Sequence, residues 1–300
     1  MSAAEDIRRL VVAAVLENEP MSGHTTLGVG GPADVFIEVG TEDDLAALMG
    51  FISRAGLPWM VIGDGANLLV SDKGIRGVVI SLAGEFEKVD VRPPIVRAGA
   101  SARISAVADA AAENDLSGLE GVGTVPGTVG GAVVMNAGTH RGYIGEVVEN
   151  VSVVTEAGEK RLLLHEECGF TYRGSRFQTD HSLIIAGVTF HLRPGDGAAI
   201  RRHLEEVRRH RVESQPQGKS AGCFFKNPPN DSAGRLIESA GGKGLREGGA
   251  VVSDIHANFI INDGSATAAD LRSLAERVRR LVREKHGVEL EYEVRIAGEW

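Results

Sequence analysis

The residues best placed to do chemistry begin with a short loop, GDGAN at Gly63–Asn67, set between two apolar segments. Gly63 and Gly65 can adopt positive φ, which turns several backbone N–H groups toward one point. Such a nest binds phosphate without a cationic side chain. Asn67 can hydrogen-bond the same ligand. A glycine-rich hairpin explains these residues equally well. A second glycine run, Gly121–Gly138, favours the ligand reading, because two such regions suit backbone lying along a long molecule with a pyrophosphate. Neither region reads as G-x-G-x-x-G leading into a helix with an acidic residue about twenty positions on, so a Rossmann site is disfavoured.

Three further side chains carry reactive groups. Cys223 is one of two cysteines, with Cys168. Their spacing makes neither a disulfide framework nor a zinc site, and a reducing compartment follows. A free cysteine is usually a small core residue. It is also an acid, with an ordinary pKa of about 8.5. Arg173 follows Tyr172 and, taken bare, is a surface arginine. Glu293 lies in VELEYEVRI (residues 288–296), where apolar and charged residues alternate; alternation alone places it on a solvated strand face.

The elements that must position these groups are mixed. A helix opens the chain from a Ser2/Glu5 capping box and reaches about Leu16. Strands are predicted over 34–39, 59–62, 77–82 and 95–98, with helices capped by Thr41 and Ser101. Residues 117–138 show no amphipathic period. Strands follow near 146–154, 161–164 and 182–192, and RPGDG at 193–197 marks a boundary. Beyond it come a basic helix over 198–212, a helix capped by Ser232, a strand over 257–262 and a helix from Thr267 to Gly287. A last strand covers 288–296. The pattern lacks the strict βαβ alternation of a doubly wound sheet and reads as α+β.

Composition limits the function classes. The chain has 300 residues and a net charge of −9. That length fits two domains, and that charge argues against nucleic acid as a partner. No stretch approaches 18 apolar residues, and the first twenty lack the features of a secretory signal. Glycine is the outlier: 39 residues, about twice the usual share of roughly 7%.

The motifs then carry a resemblance. HTTLGVGGPA (24–33), VIGDGANLLVSD (61–72), VPGTVGGAVVMNAG (125–138), FTYRGS (170–175), SAGCFFKNP (220–228), HANFIIN (256–262) and LEYEVR (290–295) run in one order over nearly the whole chain. In this the chain resembles the UDP-N-acetylenolpyruvoylglucosamine reductases, in their short, type II form. The resemblance implies a two-subdomain FAD-binding domain of the vanillyl-alcohol-oxidase type (21–194) after the N-terminal helix (1–20). A smaller α/β substrate-binding domain (195–300) follows. It implies FAD as cofactor, NADPH as co-substrate and a UDP-sugar as substrate. The setting is the cytoplasm, with no membrane and no obligate protein partner.

Site roles follow from the same resemblance. Arg173 binds and polarises the enolpyruvyl carboxylate, which its fork of donors suits. Glu293 sits near that carboxylate, and a neutral Glu293 would donate a hydrogen bond to the developing enolate. Cys223 stands where the family usually has a serine proton donor. Cofactor contacts are implied for Gly63, Asp64, Gly65, Ala66, Asn67 and Leu68, with Ala66 replacing a common serine. They are implied also for Gly99, Ser101, Gly121, Thr124, Pro126, Gly127, Gly130, Gly131, Asn136 and Gly138. Arg211 would face the flavin N1 and O2 edge. Lys226, Asn227, Lys243 and Asn258 are implied on the substrate side, and no metal is.

Overall fold

Two threonines start helices by the same device. Thr41 Oγ1 accepts from the Asp44 amide at 3.1 Å ahead of the helix Glu42–Ala55. Thr267 Oγ1 accepts from the Asp270 amide at 3.1 Å ahead of Ala268–His286. Asp270 takes the Thr267 amide in return at 2.9 Å, completing a capping box. Both helices stop at a left-handed glycine, Gly56 at φ 62° and Gly287 at φ 68°.

These elements belong to a computed structural model that describes residues 3–139 and 142–300. Ser2, the expected first cap, lies outside them. The chain divides into two compact units. The first comprises Met1–Glu17, Val35–Gly63 and Gly77–Arg209. Its centre is a five-stranded sheet in the order Lys160–Leu164, Val148–Thr155, Leu183–His191, Ile95–Gly99, Val89–Arg92, every neighbouring pair antiparallel. Phe190, Val96, Val151 and Val153 are fully buried there. A four-stranded sheet runs Ala14–Pro20, Pro32–Val39, Ile75–Leu82, Trp59–Ile62, with its last pair parallel.

The second unit comprises Asn18–Asp34, Asp64–Arg76 and His210–Trp300. Phe224, Phe225, Leu69, Leu271, Leu274 and Val278 form its core. Its antiparallel sheet joins Arg246–Glu247, Ala250–Val252 and Ile260–Asn262, and Leu68–Val70 pairs in parallel with Arg295–Ala297. Asp72 accepts from the amides of Ala268 and Ala269 at 2.8 and 2.9 Å, adding a carboxylate at the start of the long helix.

Several expectations need correction. The opening helix covers only Ala3–Leu10, and Ala14–Pro20 is a strand. The β-branched pair Val11–Val12 ends the helix, with Val11 buried and Val12 93% exposed. Ser101 caps nothing: its hydroxyl donates to the Leu82 carbonyl, and the helix begins at Ile104 after Arg103, with no side-chain cap. The stretch 117–138 does hold a helix, Val129–Val134, capped by Thr128; its glycines hid the period. The strand expected over 257–262 is regular only at Ile260–Asn262, and that over 288–296 only from Arg295. Leu290 and Val294 are buried while Glu289 and Glu291 are exposed, so the alternation is real even where the ladder is irregular.

The Thr267 hydrogen bonds hold the Asp270 carboxyl below its ordinary value of 3.8. A depressed folded pKa adds stability above the unfolded value, and that stability is lost as pH falls through the folded one. Asp270→Asn is therefore expected to melt below the parent at neutral pH, with the gap closing as the pH drops below 3.8. Thermal melts across that range check it.

Candidate functional site

The loop of the second unit is shaped by Gly65. It has φ 62°, and a Cβ there would collide with the His24 carbonyl oxygen. The Gly65 carbonyl accepts from the Thr26 amide at 3.3 Å, which fixes the loop's pose. The amides of Gly65, Ala66 and Asn67 donate to no atom among the described residues. Three successive N–H groups beginning at a left-handed residue form an anion nest. These residues fit the diphosphate of a dinucleotide. Leu68 continues into a strand and is buried; Asp64 is exposed.

In the first unit the second glycine run divides by role. The amides of Val129 and Gly130 donate to the carbonyls of Ala102 and Ala100, both at 2.8 Å, and that of Gly131 to Thr128 Oγ1 at 3.3 Å. These donors are satisfied by protein. Gly130 packs on Ala100, Gly99 on the Phe86 backbone and Gly63 on the Thr128 hydroxyl, so close approach explains each of them. Gly121 accepts from Thr139 Oγ1 at 3.1 Å. The hydroxyl of Thr124 is different: it is buried and has no partner among the described residues. An orphaned buried hydroxyl calls for a ligand or water, and the Gly127 amide nearby in sequence also donates to no described atom. Pro126 is exposed.

Arg173 also belongs to the first unit. It sits at φ 53°, uncommon for a long side chain. Its Nη1 donates to the Gly138 carbonyl at 2.8 Å, and its guanidinium lies 5.7 Å from the Tyr172 ring centre. Buried Asn136 accepts from the Gly145 amide at 3.0 Å and donates to the Thr171 carbonyl at 2.8 Å, tying down the loop that bears Arg173. Backbone strain held by such a network is a mark of functional sites.

Cys223 and Glu293 belong to the second unit, on neighbouring extended segments. The Glu293 amide donates to the Phe224 carbonyl at 3.0 Å, the Lys226 amide to the Glu291 carbonyl at 2.9 Å, and Phe225 bridges Tyr292. Glu293 thus comes opposite Phe224, one residue on from Cys223. On the far side Cys223 bridges Phe259, and the Phe224 amide donates to the Asn258 carbonyl at 2.8 Å. Both residues are half-buried. That separates Glu293 from the exposed Glu289 and Glu291 of the same alternation. Arg211 joins this group: burial lowers its pKa, and Cys223 opposes that shift.

The other substrate-side residues have protein partners. Lys226 Nζ lies 3.5 Å from Glu291, and Lys243 Nζ 2.7 Å from Glu238. Asn227 Oδ1 accepts from the Ala233 amide at 3.0 Å, at the start of a helix. Asn258 is 2% exposed, and its side chain accepts from the Phe225 amide at 3.0 Å and donates to the Phe225 carbonyl at 2.8 Å. It clamps the segment that carries Cys223. Sequence reasoning missed this role, and it missed Thr128, whose hydroxyl serves as a helix cap. The signal for Thr128 was present, since a threonine before VGG reads as a cap; none marked the clamp. Among the described residues no group of three His, Cys, Asp or Glu side chains could hold a metal ion, and no helix is long and apolar enough to cross a membrane.

Comparison with known proteins agrees over nearly the whole chain. Residues 33–162 match an FAD binding domain, and residues 214–297 match the UDP-N-acetylenolpyruvoylglucosamine reductase C-terminal domain. UDP-N-acetylenolpyruvoylglucosamine reductase 2 of Symbiobacterium thermophilum is 43% identical over 298 residues, covering 98% of this chain and 96% of its own. The reductase of Heliobacterium modesticaldum is 46% identical over 286 residues, covering 95% and 91%. The crystal structure of the reductase from Thermus caldophilus aligns at a TM-score of 0.82 and 40% identity, covering 95% of this chain and 99% of that one. Physcomitrella patens BBE-like 1 shares the fold alone, at a TM-score of 0.51 and 15% identity over 65% of this chain and 45% of its own.

The two thiols differ in reach. Burial pushes the Cys168 thiol up to about 11, while Cys223 is part-exposed. Because the thiolate is the reactive form, a maleimide at neutral pH is expected to label one site in the native protein and two after unfolding. Mass mapping should place the native label on Cys223; labelling of Cys168 first would contradict this arrangement.

Proposed function

Because the chain belongs to the UDP-N-acetylenolpyruvoylglucosamine reductase family, we propose that it reduces UDP-N-acetylglucosamine enolpyruvate to UDP-N-acetylmuramate with NADPH. This is a step of peptidoglycan precursor synthesis, carried out in the cytoplasm. The protein is an FAD-dependent oxidoreductase of α+β fold. Residues 21–194 serve mainly the cofactor and 195–300 the sugar nucleotide. The observation that carries the reading is local to the second unit. The segment with the proton donor and the segment with the acid are laced together, and the anion nest at Gly65–Asn67 directly precedes the strand Leu68–Val70, which pairs with Arg295–Ala297 just beyond the acid.

FAD, when bound, supplies a ring that accepts hydride from NADPH and returns it to the methylene carbon of the enol ether. The residues of the chain do the rest. In the second unit the amides of Gly65, Ala66 and Asn67 would hold a phosphate of the cofactor; in the first, the Thr124 hydroxyl would be a donor to it. Arg173 takes the substrate carboxylate through paired N–H donors and draws charge onto it. A neutral Glu293, in the second unit, would donate a hydrogen bond to the charge that develops on the substrate. Cys223 gives its proton to the carbon next to the carboxylate and regains one from water. The positive charge of Arg211 would favour negative charge on the bound cofactor. A thiol is a stronger acid than the usual serine, so the substitution at position 223 keeps the proton-donating role.

Half-reactions separate these roles. Cys223→Ala is expected to keep flavin reduction by NADPH and to slow reoxidation by the UDP-sugar about 10²- to 10⁴-fold, the usual worth of a positioned proton donor. Cys223→Ser should recover most of it. Rapid-mixing absorbance reads both steps, and equal loss in both would refute the assignment.

A further inference from the structure

We infer that Asn67 is a positioning residue for Glu293: its side-chain amide holds the backbone that carries the acid. This rests on the role proposed above for Glu293. Asn67 Nδ2 donates to the Glu293 carbonyl at 3.0 Å, and the Arg295 amide donates to the Asn67 carbonyl at 3.0 Å. The parallel pairing proper begins one residue later, at Leu68 and Arg295. The side chain of Asn67 therefore extends the ladder past its end, replacing the strand hydrogen bond that the loop cannot supply.

Both backbone groups of Glu293 are then fixed. Phe224 takes its N–H at 3.0 Å and Asn67 its C=O. No regular strand covers residues 288–294, so these two bonds set where the glutamate stem leaves the chain. The main-chain N–H of Asn67, by contrast, donates to no described atom and completes the nest begun at Gly65. One residue thus offers its main chain to an anion and its side chain to the acid segment. An amide suits this double use: Ala lacks the donor, and Asp would set an acceptor against the Glu293 carbonyl.

The test uses Asn67→Ala and Asn67→Asp in the full chain. In the apo protein, hydrogen exchange should quicken at the amides of Glu293–Arg295, with exchange in the helix Ala268–His286 unchanged. In the FAD-loaded protein, reoxidation by UDP-N-acetylglucosamine enolpyruvate should fall about tenfold, the worth of one hydrogen bond of roughly 1.4 kcal/mol. Flavin reduction by NADPH should fall by much less. Unchanged exchange at residues 293–295 overturns the proposal. Equal loss of both half-reactions with weaker FAD retention also overturns it, making the Asn67 side chain a cofactor contact. Glu293→Gln separates the premise: if that variant reoxidises like the parent, the role of Glu293 fails, while the exchange result still decides whether Asn67 holds the segment.

Discussion

The carbonyl oxygen of Phe224 takes the Glu293 amide at 3.0 Å, and the Phe224 amide in turn donates to the Asn258 carbonyl at 2.8 Å. Through this one residue three separate stretches of chain become neighbours. None of them is a long regular strand where they meet, yet their polar groups must still be satisfied once Phe224 and Phe225 are buried. Side-chain amides complete the lacing. Asn258 bonds both polar groups of Phe225, and Asn67 takes the Glu293 carbonyl. Irregular backbone held this way can present a thiol and a carboxyl at fixed places, which a freely frayed strand end could not.

The glycines follow a related constraint. Several that look like ligand contacts are explained by the protein itself: Gly99 lies against Phe86, Gly130 against Ala100 and Gly65 against His24. Close approach of backbone to backbone is what shapes the loops, and the amides left without protein partners are its consequence. Among the described residues, the nest amides of Gly65–Asn67, the Thr124 hydroxyl and the Gly127 amide have no protein partner and stay open to a ligand. Both units therefore carry donors suited to a dinucleotide, by different means.

Much of this was legible in the residues. Thr41, Ser232 and Thr267 mark helix starts by local chemistry, and the structure has a helix after each. The ordered motifs named the family and its cofactor. Periodicity failed where short-range signals compete with tertiary ones. The N-terminal pattern ran on through Val11, Val12 and Val15 as if helical, but the helix ends at Leu10 and Val15 lies in the strand Ala14–Pro20. The VGG stretch at 129–131 concealed a helix, because glycine weakens every propensity signal. At Glu293 alternation favoured a solvated carboxylate. Only the pairing with a distant segment shows it half-buried where Glu289 and Glu291 are not. The clamp role of Asn258 carried no signal, since it depends on contacts with Phe225, 33 residues apart.

This chain passes electrons from NADPH to a UDP-linked enolpyruvyl ether through bound FAD. Anaerobic stopped-flow mixing of the NADPH-reduced protein with UDP-N-acetylglucosamine enolpyruvate tests it most directly. Rapid return of the oxidised-flavin absorbance is expected, with UDP-N-acetylmuramate formed in equal amount and one solvent-derived hydrogen next to its carboxylate. A protein that is yellow and reduced by NADPH, but keeps its flavin reduced in the presence of that substrate, would contradict it.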